Sequence, residues 1–234
     1  MNEFVLKEII YIFGYIFENY IMTEEQRRQI KIDNDAIIKQ KEYRVNDWLP
    51  ILDAPKLRTL EEIKGRMSVM NALINIAFEA PTYIIKEWIE NHDLTKYLSD
   101  SEKEILEKEN DDLTEYEVNS LRWYLESLWA FMWVTEMISG LEAEDYIGDN
   151  MASLLPNLEN GDSNQKLESL QRLKSEVEIY TMLDYYYRIH WYCVDERLNG
   201  RQAKLNEGLV YERRKSLEWI YNRADDWDNV EMGT

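Results

Sequence analysis

The chain has 234 residues, a formal net charge of −19, 45% hydrophobic residues and one cysteine. This length suits one large domain or two small ones with a sizeable core. The charge disfavours nucleic acid and anionic membranes as partners, because both need a cationic surface. One cysteine excludes an internal disulfide and fits a reducing compartment, so we expect a cytoplasmic protein. Its acidic surface either serves solubility or matches a basic partner protein.

The N-terminal segment contains an apolar run, IIYIFGYIF, that is too short and too charged to span a membrane. Its flanks differ from those of a signal peptide, because Glu3 and Glu8 stand where positive charge is usual. The sequence is compatible with either a helix or a strand for this apolar run, since β-branched and aromatic residues surround Gly14. We favour a helix, and treat residues 1–22 as an accessory segment beside a single helical domain over 23–234.

Four capping boxes predict helix starts, because a Ser or Thr is followed three residues later by Glu or Gln. They begin at Thr23, Thr59, Ser99 and Thr114. The first predicts a short polar helix, followed by a connection over residues 31–56 with at most one short element. The second predicts an amphipathic helix that ends at Pro81, with a further helix over residues 82–90.

The acidic run over residues 102–117 follows the third capping box. Such a run usually forms a solvated face, and we expect exposed carboxylates here. A calcium loop is the alternative, but the Asp-x-Asp-x-Asp-Gly spacing of such a loop is absent.

Residues 121–138, LRWYLESLWAFMWVTEMI, carry apolar side chains on every side of a helical wheel, which is typical of a helix buried all round. Glu126 falls beside Trp129 and Trp133 on this wheel, so it must be paired, hydrogen-bonded or protonated. Arg122 precedes Glu126 by four residues, which is the poorer orientation for a helical ion pair. We therefore expect an arginine from another helix to neutralise Glu126.

The C-terminal half begins with a loop over residues 140–162. A helical pattern then runs from 164 to about 198, with Ser175 as a candidate break and Gly200 as a stop signal. A last helix is predicted over 209–223. The sequence thus predicts an all-α single globular domain of about seven to nine helices packed around the central helix at 121–138.

Five segments occur along the chain in this order: LRTLEEIKGRM at 57–67, ESLWAFMWV at 126–134, LDYYYRIHWYCVDERLNG at 183–200, VYERRKSLEWI at 210–220 and ADDWDNVEMGT at 224–234. Together they resemble a bacterial family catalogued as a domain of unknown function, number 4272, over about residues 24–234. The resemblance implies a helical single domain and no particular activity. The resemblance also implies that particular charged and aromatic positions matter to the family. These are Glu62, Arg66, Glu126, Trp133, Asp184, Arg188, Trp191, Glu212, Arg213, Trp219, Trp227 and Asp228.

Charged and aromatic residues among these positions form a candidate network or site, which we call the constellation. Asp184 and Arg188 stand four apart with the acid first, the favourable orientation on a helix. Arg188 and Arg213 are candidate partners for Glu126 and Asp228, because a guanidinium binds a carboxylate bidentately. One interpretation is a buried salt-bridge network that fixes helix register; the other is a pocket in which both arginines hold an anionic ligand. The candidate residues are Glu126, Arg188, His190, Arg213, Asp184, Trp191, Trp227 and Asp228.

Other chemistry has weaker signals. His190 and Cys193 lie on one helical turn, but the further ligands of a metal site are missing, so we expect no metal and no cofactor. His190 as a general base beside Asp184 stays an alternative to a hydrogen-bonded structural histidine, and Cys193 is expected in the core. Basic residues that form a local anion-binding face, or alternate with acids, are Arg197, Arg201, Lys204, Arg213, Arg214 and Lys215.

No catalytic motif accompanies this composition. We expect a non-enzymatic acidic interaction protein, for example an immunity or inhibitor protein that blocks a basic effector. The alternative is an enzyme or small-molecule sensor that binds an anionic ligand at Glu126, Arg188, His190 and Arg213. A homo-oligomeric scaffold is a third expectation.

Overall fold

The computed structural model describes residues 22–54 and 56–233. Over these residues the chain forms nine α-helices, three 3-10 turns and no β-strand, which confirms the all-α prediction and its seven to nine helices. The predicted N-terminal helix lies outside the described residues. The helices are α1 (Glu24–Gln40), α2 (Leu60–Ile74), α3 (Thr82–Asn91), α4 (Asp100–Leu106), α5 (Glu115–Val134), α6 (Met151–Leu154), α7 (Gln165–Glu168), α8 (Glu176–Leu198) and α9 (Glu207–Tyr221).

Local capping sets where the longer helices begin. All four predicted capping boxes form, at the starts of α1, α2, α4 and α5. A fifth joins Ser175 to Glu178 and starts α8. The helical pattern predicted over residues 164–198 is therefore interrupted at Ser175, which confirms the candidate break. The part before Ser175 contains only the short helix α7.

The predicted end of the central helix at residue 138 is wrong. Helix α5 ends at Val134, and Glu136 adopts the left-handed conformation with φ 60°. The amides of Glu136 and Met137 donate to the carbonyls of Trp133 and Met132, which closes the helix in a Schellman arrangement. Glycine usually occupies this position, so the sequence carried no visible stop signal.

Helices α5 and α9 share the centre of the fold. Helix α5 packs against α2 and α9, α9 packs against α8, and α8 packs against α1. Helix α3 covers α2 and contacts α4. The prediction that α5 is buried all round is wrong on one side, because Arg122 is exposed and donates to Asn119.

Helix α1 is longer than predicted, since it continues to Gln40 through the first part of the expected connection. Its buried residues are Asn34, Asp35 and Ile38. Two of these three residues are polar, so the hydrophobic periodicity that predicts a helix is weak in this part of the sequence.

The chain before α2 and the chain after α9 run side by side. The amide of Arg58 donates to the carbonyl of Ile220, and the amide of Arg223 donates to that of Lys56, at 2.9 and 3.0 Å. From there the C-terminal tail turns back over the core. Trp227, in this tail, is buried beside the rings of Tyr124, Phe131 and Trp219.

Candidate functional site

Glu126 has the partner that its burial demands. Nε and Nη2 of Arg213, on α9, donate to its Oε2 atom at 2.9 and 2.6 Å. The prediction of an arginine from another helix is thus confirmed. Burial raises the pKa of Glu126, although the Arg213 guanidinium opposes this shift. Arg213 also donates to the carbonyls of Glu142 and Asp145, so the pair holds the loop after α5 in place.

Arg188 lies in a different network and does not reach Glu126. It binds Asp184 bidentately, with both nitrogen–oxygen distances at 2.8 Å. Asn34 of α1 donates to the same carboxylate at 2.9 Å, and Asp35 lies 3.5 Å from the Arg188 guanidinium. Burial raises the pKa of Asp35. This network joins α1 to α8.

His190 belongs to a third network. Its Nδ1 atom lies 2.8 Å from Nη1 of Arg214. A guanidinium only donates, so His190 accepts and is the neutral imidazole. Burial and the Arg214 charge lower the pKa of His190 to about 4. This geometry fits a structural histidine.

The predicted constellation therefore does not converge on one pocket. Glu126, Arg188, His190 and Arg213 are at most 5% exposed, and they form three separate pairs: Glu126 with Arg213, Arg188 with Asp184, and His190 with Arg214. Trp191 is half-buried against the core. These groups have no opening to solvent that an anionic ligand would need.

Two further predictions about these helices have separate outcomes. Cys193 is buried, and burial raises the pKa of its thiol to about 12, far from that of a nucleophile. Of the six basic residues that suggested an anion-binding face, all but Lys215 pair with acids or are buried. Arg197 pairs with Glu207, Arg201 with Asp195 and Glu196, and Lys204 with Glu42, while Arg213 and Arg214 are buried.

The partner expected for Asp228 is also wrong. Asp228 meets neither Arg188 nor Arg213, and instead accepts from the amide and hydroxyl of Ser101 at 2.9 and 2.7 Å. The C-terminal tail thereby caps the first turn of α4, where a carboxylate is favourable. Trp227 is placed beside this cap.

Glu102 is the residue that sequence reasoning missed. It lies in the acidic run that we expected to be solvated, yet it is fully buried. Arg66 of α2 binds both of its oxygens at 2.6 Å, and the Tyr124 hydroxyl donates to it at 2.6 Å. Trp227 Nε1 donates in turn to the Tyr124 hydroxyl at 3.1 Å. The Ser99 capping box fixes Glu102 at the start of α4, but it does not signal burial, because the equivalent Glu178 of the Ser175 capping box is exposed.

A solvent-accessible cavity of about 560 Å³ lies next to this network, between α4, α5, α9 and the tail. We call it the acidic–aromatic cavity. Its walls carry four carboxylates, four aromatic rings and one ammonium group. These are Glu104, Glu117, Glu212, Asp228, Tyr116, Tyr124, Tyr211, Trp227 and Lys215.

The ammonium group in this cavity is unusually placed. Lys215 Nζ lies over the Trp227 ring, 4.5 Å from its centroid, and makes no hydrogen bond or ion pair with the described residues. Burial lowers the pKa of Lys215, and nearby Arg66 adds to this effect. Burial raises the pKa of Glu212, whose carboxylate accepts from Ser127 at 2.9 Å. Perturbed groups that line a cavity are typical of functional sites.

Residues 22–54 and 56–233 lack two other kinds of site. No three His, Cys, Asp or Glu side chains there are grouped as a metal ion would need. None of the helices in that part of the chain is long and apolar enough to cross a membrane.

Comparison with known proteins identifies the family of the chain but no activity. No curated protein and no solved structure matches it. A family model described as "Domain of unknown function (DUF4272)" matches residues 29–230, which is most of the sequence. The chain therefore belongs to the DUF4272 family.

Proposed function

We propose that the protein is a non-enzymatic, cytoplasmic interaction protein that binds a basic partner protein at the acidic–aromatic cavity. A concrete version is an immunity or inhibitor protein whose partner is a basic effector. The observation that supports this proposal is the lining of the cavity, in which four carboxylates and four rings surround a single ammonium group.

The chemistry of the lining suits a lysine or arginine side chain. Aromatic faces attract cations, and carboxylates supply the opposite charge. Tyr116 is 81% exposed at the entrance. The exposed Glu104 carboxylate has no hydrogen-bond or ion-pair partner among the described residues, so both groups are free to meet a partner. The net charge of −19 would steer a basic protein towards this surface at low salt.

Binding of a short fluorescent oligolysine peptide, measured by anisotropy at low salt, tests the site. The double variant Glu104→Gln/Glu212→Gln removes two charges and keeps the shape of both side chains. Its matched control is Glu87→Gln/Glu90→Gln, which removes two exposed charges on α3. We expect about tenfold weaker binding for the cavity variant, or about 1.4 kcal/mol, and less than a twofold change for the control. Equal losses in both variants would reduce the binding to non-specific attraction and contradict the proposal.

A second candidate function, a sensor or enzyme for a small anionic ligand, is favoured by one observation. Lys215 presents in this cavity an ammonium group that makes no direct ion pair with the described residues. The variant Lys215→Met separates the two candidates. Loss of the ammonium group should strengthen oligolysine binding if the cavity takes cations. It should abolish binding of inorganic phosphate or a small carboxylate, measured by calorimetry, if the cavity takes anions.

The oligomeric state stays a prediction. A homo-oligomeric scaffold would show as a multiple of the chain mass in size-exclusion chromatography with light scattering.

A further inference from the structure

A second cavity, of about 410 Å³, lies between α1, α8 and the loop after α5. Its lining is mainly apolar and includes Ile37, Trp133, Val177, Met182 and Tyr185. We call it the α1–α8 groove. It is separate from the acidic–aromatic cavity and shares no lining residue with it.

The groove leaves apolar surface uncovered. Ile37 is 44% exposed and Val177 is 38% exposed, and they stand on the two helices that form the groove. Exposed apolar side chains grouped in this way are unfavourable in water unless another segment covers them.

The chain carries an apolar segment next to this groove in sequence. Residues 4–17, FVLKEIIYIFGYIF, stand shortly before α1, which is one wall of the groove. Helix α1 begins at Glu24, directly after the Thr23 capping box. Met22, which directly precedes the Thr23 cap, is 2% exposed and therefore packs in the protein interior.

The segment is long enough to reach the groove from there. Ile37 lies thirteen residues into α1 from Glu24, or about 20 Å along the helix axis. Residue 4 precedes Met22 by eighteen residues, which would span about 27 Å even in the compact form of a helix. A reversal of the chain at Thr23 therefore suffices to bring residues 4–17 alongside Ile37.

We propose that residues 4–17 of the same chain dock in the α1–α8 groove and cover its apolar wall. An intramolecular partner has the advantage of a high effective concentration, of the order of millimolar for a short connection. This proposal does not depend on the function proposed for the acidic–aromatic cavity.

Site-specific photocrosslinking in the full chain tests the docking. The photoreactive residue p-benzoylphenylalanine is placed at position 37, and in a control protein at position 84 on α3, where the natural isoleucine is also 44% exposed. Mixing isotopically light and heavy protein before irradiation shows whether a crosslink joins one chain or two. We expect crosslinks from position 37 to residues 4–17 within one chain, and none to that segment from position 84.

Other outcomes overturn the proposal. Crosslinks between light and heavy chains would assign the groove to a second copy. Failure of position 37 to reach residues 4–17, or equal reaction from position 84, would leave the segment elsewhere. As an independent readout, Ile37→Glu should speed hydrogen exchange in residues 4–17 at least tenfold, whereas Ile84→Glu should leave it unchanged.

Discussion

The buried pair of Arg66 and Glu102 offers the sharpest test of how this fold is held together. Their side chains are 1% and 0% exposed, and two contacts of 2.6 Å join them. Removal of one partner from a buried ion pair leaves an uncompensated charge, which typically costs roughly 3–5 kcal/mol. We expect this loss for Arg66→Met and for Glu102→Gln. The double variant should be about 2 kcal/mol more stable than the sum of the two losses implies.

Urea denaturation measures these free energies of unfolding. Circular dichroism and tryptophan fluorescence should give the same transition, which is the condition for two-state treatment. The pair of Lys86 and Glu107 is a matched control, because its atoms are also 2.6 Å apart but its side chains are 34% and 68% exposed. We expect no measurable change of the urea midpoint for Lys86→Met or Glu107→Gln.

Two results would contradict a large cost set by burial of the pair. Single variants at the buried pair that behave like the exposed control would show that burial does not set the cost. Fully additive single and double variants would show that the two groups do not depend on each other.

Three further predictions follow from local geometry. Gly65→Ala should cost about 1–3 kcal/mol in urea denaturation, because its methyl group would stand 2.2 Å from the Tyr97 ring. Burial holds the pKa of His190 near 4, so below about pH 6.5 the unfolded chain binds a proton that the native state does not bind. Between pH 7 and pH 5 this difference should lower the free energy of unfolding by about 2 kcal/mol. The variant His190→Gln should lack this loss. Arg213→Met should become less damaging in thermal melts as the pH is lowered, since burial raises the pKa of Glu126 and the variant lacks the guanidinium that opposes this shift, so that the buried carboxyl is more easily protonated.

The elements predicted correctly were those with a local physical cause. A capping box is satisfied within four residues, so the starts of α1, α2, α4 and α5 were visible in the sequence. The partner of Glu126 was also foreseeable, because a carboxylate among tryptophans requires a cation. Which arginine supplies that cation depends on packing, and for this reason Arg213 and Arg188 could not be told apart.

The features that the sequence did not predict depend on contacts between residues that are far apart along the chain. The inner face of α1 is polar because Asn34 and Asp35 meet charges on α8, which no local period reveals. Glu102 lies among acidic residues whose charge predicts exposure, but it is buried against Arg66, and only the tertiary fold brings the two together. The acidic–aromatic cavity likewise arises where the tail returns to α4, so its lining could not be assembled from the sequence.

The place where a basic ligand binds tests the central claim most directly. Hydrogen exchange of the full chain is compared with and without the oligolysine peptide at low salt. We predict protection concentrated in residues 101–117, 208–216 and 226–229, which surround the acidic–aromatic cavity. Protection spread evenly over the acidic surface, or concentrated on another face, would contradict the claim that this cavity receives the partner.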